Sequence, residues 1–194
     1  MVEDAQRLVT ALGLKRFVLL GLSMGGRNAY QFAATYPEEV ERLVIVDIGP
    51  AIAATGATRI TSGVRANDVF ASVEEAVAAG RTGNPRADEA ELQHRTRNNL
   101  MLQEDGTWTF RYDKALRTNN LPRPAAGDAW AMLPKIKAPT LLIRGELSDV
   151  LAPEVADRML KEIPDCKFAL VAGSGHSIPL ESPKGFLEAV RTFL

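Results

Sequence analysis

The chain has 194 residues, 46% hydrophobic and 24% charged, with a formal net charge of −1, the balance of one soluble domain or of a core with one insertion. No basic block marks a nucleic-acid partner, and the longest apolar runs, such as FVLLGL, fall far short of the ~20 residues a membrane-crossing helix needs. Glu3 and Asp4 sit where a leader peptide would need a basic flank, and the single cysteine, Cys166, excludes an internal disulfide; the expectation is a cytoplasmic protein.

Val2, Ala5, Leu8, Val9 and Leu12 recur at helical spacing, and Gly13 is placed to close that helix. FVLLG follows, a short continuous apolar run of the kind buried on both faces in parallel sheets. Ala29, Phe32, Ala33 and Tyr36 stripe a second helix that Pro37 stops, and RLVIVDIGP repeats the buried-strand signal. The interval 51–134 breaks this rhythm and is too long for a connector. It holds helical patches at 73–79 and 88–100. An Asp105-Gly106 turn between NLMLQE and TWTFRYD predicts a hairpin, with Trp108, Phe110 and Tyr112 expected to pack beneath the insertion. Then come a third strand, APTLLIRG, a helix near Pro153 striped by Val155, Met159 and Ile163, and a fourth strand, CKFALVAG. A last helix is expected from Ser182 as N-cap and Pro183, burying Phe186, Leu187, Val190, Phe193 and Leu194. Alternating strands and helices predict an α/β protein with a mainly parallel sheet. The divisions are a first core part at 1–50, an inserted, mostly helical lid at 51–134, and a second core part at 135–194.

Gly21-Leu22-Ser23-Met24-Gly25, followed by Gly26, matches G-x-S-x-G between a strand and a helix. A turn this sharp strains the serine and leaves no room for side chains two residues before and after it. It presents the Ser23 hydroxyl at a strand end beside a helix N-terminus, where N–H groups can stabilise negative charge. A serine hydroxyl needs a base, and the base an orienting carboxylate. His176, in GSGHSIP past the fourth strand, has flexible glycines at 173 and 175 and is the candidate base; His94 lies on the lid helix expected at 88–100 and is expected to face solvent or pack in the lid. Two carboxylates lie at strand ends. Asp149, in RGELSDVLAP, has the loop length to swing behind His176 and is favoured. Asp47, in VIVDIGP, is expected to hydrogen-bond backbone where the lid departs. Cys166 has no setting that would lower its pKa and is expected to pack. Six basic residues (Arg95, Arg97, Arg111, Lys114, Arg117, Arg123) against Glu104, Asp105 and Asp113 make the lid basic. A solvated surface explains that excess more simply than a carboxylate-bearing substrate does. Two separated histidines and one cysteine offer no metal cluster, and no cofactor is expected.

The stretches GLSMGG, PTLLIRGELSDVLAPE and GSGHSIPLESPKGFLEAVRTFL resemble the α/β-hydrolase superfamily, specifically its lidded serine members: carboxylesterases, enol-lactonases and carbon–carbon bond hydrolases of aromatic degradation. By that resemblance Ser23 is the nucleophile, Asp149 the acid, His176 the base and the Met24 amide one oxyanion donor, acting on a small ester or activated carbonyl. Leu22 stands where relatives often carry histidine and makes the wall beside the serine more apolar. In the family the elbow follows the fifth strand of an eight-stranded sheet, and a His-Gly loop ahead of it gives a second oxyanion donor. Here only residues 1–14 precede the elbow strand. The resemblance therefore implies the C-terminal half of the fold, about four strands with flanking helices, from a longer protein. It also implies an open hydrophobic edge on FVLLG through which copies could pair. A non-catalytic fragment using that edge is the alternative.

Overall fold

A computed structural model describes residues 1–65, 68–117 and 128–194. Four parallel strands, β1 (Phe17–Leu22), β2 (Val40–Val46), β6 (Thr140–Gly145) and β7 (Cys166–Val171), form one sheet in the order β1-β2-β6-β7. β2 is covered on both faces, and its residues alternate between two cores. Leu43 and Ile45 point to α1 (Val2–Ala11), α2 (Met24–Thr35) and α6 (Pro153–Glu162), joining Val9, Phe32 and Met159. Val44 and Val46 point the other way, to α8 (Pro183–Phe193), with Ile143 and Phe193. All four β2 side chains are 0% exposed, each contributing about 1.5–3 kcal/mol of burial. The run RLVIVDIGP lacks polar alternation because neither face meets water.

The interval between β2 and β6 carries the lid. It contains α3 (Ala54–Arg65), α4 (Val73–Gly83), α5 (Glu89–Asn99) and a small antiparallel sheet of β3 (Val69–Phe70), β4 (Leu100–Leu102) and β5 (Trp108–Phe110), in the order β3-β5-β4. The hairpin forms about Gly106, whose φ of 83° suits glycine. Phe110 meets Phe70 edge-on at 5.6 Å, and Trp108 packs on the same cluster, so these aromatics fill the lid's own core. Helix α3 and strand β3 had no signal in the apolar pattern. Each is too short or too polar to show a period.

Two expectations for the last helix change. α8 starts at Pro183 with Ser182 as N-cap, but Leu187 and Leu194 are 46% and 56% exposed, while Phe193 is buried. A four-residue helix, α7 (Ile178–Glu181), precedes it. β1 ends the sheet. Among the described residues it pairs with β2 alone, and Val18 and Leu20 are each 43% exposed.

Candidate active site

Parallel strands deliver their C-terminal ends to one edge of the sheet, and there the loops after β1, β2, β6 and β7 converge. Ser23 sits between β1 and α2 with φ 54° and ψ −120°, a region that costs about 1–3 kcal/mol for a non-glycine residue. Its amide donates to Val46 O at 3.0 Å, which ties the turn to β2. The glycines that permit the turn are not quite those the motif names. A Cβ on Gly21 would lie 2.3 Å from Gly25 O, and one on Gly26 would lie 2.7 Å from both Gly21 O and Ile48 Cγ2. One on Gly25 would meet nothing within 4 Å. Met24 is the first residue of α2, so its amide is among the first-turn N–H groups that have no acceptor within the helix.

His176 is buried, on the loop after β7. Its Nε2 lies 2.9 Å from Ser23 Oγ, and its Nδ1 lies 2.8 Å from Asp47 Oδ2. An ionised carboxylate only accepts, so Nδ1 carries the proton and Nε2 presents its lone pair to the serine hydroxyl. The loop reaches this position because β6 and β7 end in close approach. A Cβ on Gly145 would lie 2.1 Å from Gly175 O.

The carboxylate behind His176 is Asp47, and the expectation that Asp149 would stand there is corrected. Asp47 is 0% exposed and has φ 51°, a backbone turn that aims its side chain across the end of β6. Its Oδ1 accepts the Gly145 N–H at 3.0 Å, as expected of a carboxylate bonding backbone near the lid, while Oδ2 takes both His176 and the Ser148 hydroxyl. Asp149 instead faces the lid. It accepts two hydrogen bonds from Arg59 of α3, Nε to Oδ2 and Nη2 to Oδ1, each 2.7 Å. That bidentate bond from Arg59 holds the Asp149 carboxyl below the usual carboxylate range, and Asp149 in turn raises Arg59. α3 lies this close because position 56 is glycine: a Cβ there would sit 2.4 Å from Asp149 O.

Ser148 was not singled out in the sequence. Its Oγ accepts the Val150 and Leu151 amides at 3.1 and 3.2 Å, so its one hydrogen is left for Asp47 Oδ2. Arg144, buried, fastens the same loop through the carbonyls of Leu151, Glu146 and Ser148. No periodicity announces a hydroxyl whose role is set by two amides.

The other candidates lie apart from this cluster. His94 is exposed on α5 beside Asn98. Burial pushes the Cys166 thiol up to about 12, so it is protonated at neutral pH. In the basic stretch, Arg97 pairs with Glu74, Lys114 with Asp68, and Arg111 bonds Leu100 O. Arg123 and the Arg117 side chain fall outside the described residues. Among the described residues no group of three or more His, Cys, Asp or Glu could hold a metal ion, and no helix is long and apolar enough to cross a membrane.

Residues 1–189 match the family model described as the alpha/beta hydrolase family, and the chain belongs to that family. An sn-1-specific diacylglycerol lipase of Mus musculus is 28% identical over 204 residues, covering 100% of this chain and 64% of its own length. A 2-(acetamidomethylene)succinate hydrolase of Mesorhizobium japonicum is 26% identical over 195 residues, covering 99% and 69%. The crystal structure of an E-2-(acetamidomethylene)succinate hydrolase superposes with a TM-score of 0.86 at 22% identity, over 99% of this chain and 71% of that one. It shares the parallel core and inserted lid. The chain thus spans about two thirds of the length of the curated relatives it matches.

Proposed function

We propose that this chain carries the site of a serine hydrolase, with Ser23 as nucleophile, His176 as general base and Asp47 as the acid that orients it. The observation that carries this reading is the unbroken pair of contacts, 2.9 Å from Ser23 Oγ to His176 Nε2 and 2.8 Å from Nδ1 to Asp47. His176 takes the hydroxyl proton as Ser23 Oγ bonds to the substrate carbonyl carbon. The Met24 amide faces the oxygen that becomes negative. The bond to the leaving group then breaks as His176 returns the proton to that group, and water releases the acyl-enzyme by the same steps in reverse roles.

The substrate is a small molecule with an ester or activated carbonyl. A second reading is cleavage of a carbon–carbon bond next to such a carbonyl, with the same three residues and a carbon leaving group. Of the two matched relatives, the one named for a diacylglycerol supports the ester, and the one named for a substituted succinate supports a small-molecule substrate. The β1 edge, which among the described residues pairs with β2 alone, supports self-association of the chain, and a cytoplasmic location belongs to the same proposal on the sequence alone.

A fluorophosphonate probe tests the site. Labelling of the purified chain is expected, and Ser23→Ala and His176→Ala should each abolish it while His94→Ala leaves it intact. Absence of labelling in the unaltered chain, together with oligomers on sedimentation, would favour a non-catalytic protein that pairs through β1.

A further inference from the structure

His176 hangs from a glycine-rich loop, GSGH, in which Gly173 has φ 66°. Such a segment would not by itself hold an imidazole in two hydrogen bonds at once. Glu146 Oε2 takes the Gly173 amide at 2.8 Å, and the side chain that holds the backbone next to His176 is Glu181, at the end of α7, its side chain only 3% exposed. Its Oε2 accepts the Gly175 amide at 2.5 Å and its Oε1 the Ser177 amide at 3.2 Å, so one carboxylate grips the backbone on both sides of His176. The remaining two bonds come from the lid: Asn84 Nδ2 to Oε1 at 2.9 Å and Arg86 Nε to Oε2 at 3.0 Å. Arg86 fits there because the loop has glycine beside it. A Cβ on Gly175 would lie 2.6 Å from Arg86 Nη2 and 3.1 Å from Glu181 Oε2. The Asp88 amide adds a backbone bond to Leu180 O at 2.8 Å.

We infer that Glu181 is the positioning residue for His176, and that Arg86 and Asn84 make its grip depend on a seated lid. The inference rests on His176 being the base proposed above. Four donors occupy the carboxylate, two per oxygen, which leaves none of its capacity for a substrate. Its charge is buried where, among the described residues, the cation that bonds it is the lid's Arg86, the loop amides being neutral. Burial alone would push the carboxyl up, but the Gly175 amide, Arg86 and Asn84 more than offset this and keep it below the usual range. If the lid lifts, Arg86 and Asn84 leave with it. The uncompensated carboxylate then turns toward water or takes a proton, and either change weakens its hold on the two amides. Lid closure and base alignment are in this way one event.

The test uses the 194-residue chain with two readouts: the fluorophosphonate inactivation rate, split into its saturation constant and its maximal rate, and solvent exchange of the His176 Nδ1 proton by NMR. Glu181→Gln keeps the shape but turns an NH2 toward a donor. It should lower the maximal rate by about 10²-fold, the cost of a small misplacement of a reacting group, with the saturation constant unchanged and the Nδ1 proton exchanging faster. Arg86→Met, made on the exposed side of the cluster, should slow the reaction about tenfold, and Arg86→Lys should restore most of the loss. Lys137→Ala, which breaks a surface pair with Glu38, serves as a control with no change. A folded Glu181→Gln and Arg86→Met that both keep wild-type rates and proton exchange would overturn the inference; should Glu181→Gln fail to fold, Arg86→Met decides it. If the unaltered chain is not labelled at all, the hydrolase reading fails by itself, and the Nδ1 exchange comparison still decides whether Glu181 and the lid hold His176.

Discussion

Asp47 accepts a backbone amide, a hydroxyl and an imidazole N–H, and an amide side chain cannot accept all three at both oxygen positions. Asp47→Asn should therefore either break a bond to the loop or force His176 into the tautomer that cannot take the serine proton. The expected loss is about 10⁴-fold in probe reactivity, by analogy with the same change in other serine triads. Asp149→Asn should cost far less, since Asp149 engages Arg59 and not His176. Measuring both inactivation rates checks the assignment, and the opposite ranking would return Asp149 to the role the sequence favoured. That Ser23 and His176 meet was legible because their surroundings constrain them: a glycine corner after a buried strand, and a glycine loop after another. Which carboxylate His176 meets was not, because both carboxylates end strands and loop length says how far a side chain can reach, not where it points. Direction came from a φ of 51° at Asp47 and from an arginine on α3. Neither leaves a mark in hydrophobic periodicity.

At the scale of elements, the corner between β1 and α2 needs Gly26, which lies outside the five-residue motif, and not Gly25, which the motif names. Gly26 has no room: a Cβ there would press on Gly21 O and Ile48 Cγ2 at 2.7 Å each, the first of these being backbone that cannot yield. Gly25 is exposed within α2 and has open space. Gly26→Ala should thus lower the melting temperature steeply or prevent folding. Gly25→Ala should be neutral or raise stability by about 0.5–1 kcal/mol, the usual gain of alanine over glycine in a helix. Thermal melts of the two variants make the comparison, and a Gly25→Ala that destabilises as much as Gly26→Ala would show that the turn also needs the glycine the five-residue pattern names. The core strands were readable because β2 and β6 are buried on both faces and stand as continuous apolar runs. The lid was readable only in part. Its hairpin follows from Asp105-Gly106, but α3 is held against the core by a close approach at Gly56 and by Arg59, contacts made across 90 residues of chain.

At the scale of the whole molecule, two ion pairs among the described residues fasten the lid to the core near the site, Arg59 with Asp149 and Arg86 with Glu181. Both carboxyls lie below their ordinary values in the folded protein, Asp149 chiefly through the Arg59 hydrogen bond, Glu181 because its donors outweigh its burial. A depressed folded value means the unfolded chain binds protons first as pH falls. The stability these groups contribute is therefore complete above their unfolded values of about 4 and is lost as pH drops through the folded ones. The arginines stay charged throughout, so nothing is lost between pH 6 and 8 on their account. Asp149 and Arg59 are partly exposed, so solvent screens that pair; Glu181 is buried, and its partner Arg86 is partly exposed. Hydrogen exchange followed by mass spectrometry should show segments 54–65 and 73–99 well protected and unchanged from pH 8 to 5, after correction for intrinsic rates. Protection in those segments should fall below pH 4, before it falls in β2 and β6. In Glu181→Gln the acid-induced loss should shrink, because the titrating group is gone and the lid starts from a looser state. A lid that instead loosens between pH 6 and 8 would place its hold on some other group, and would separate lid seating from the Glu181 contact that links it to His176.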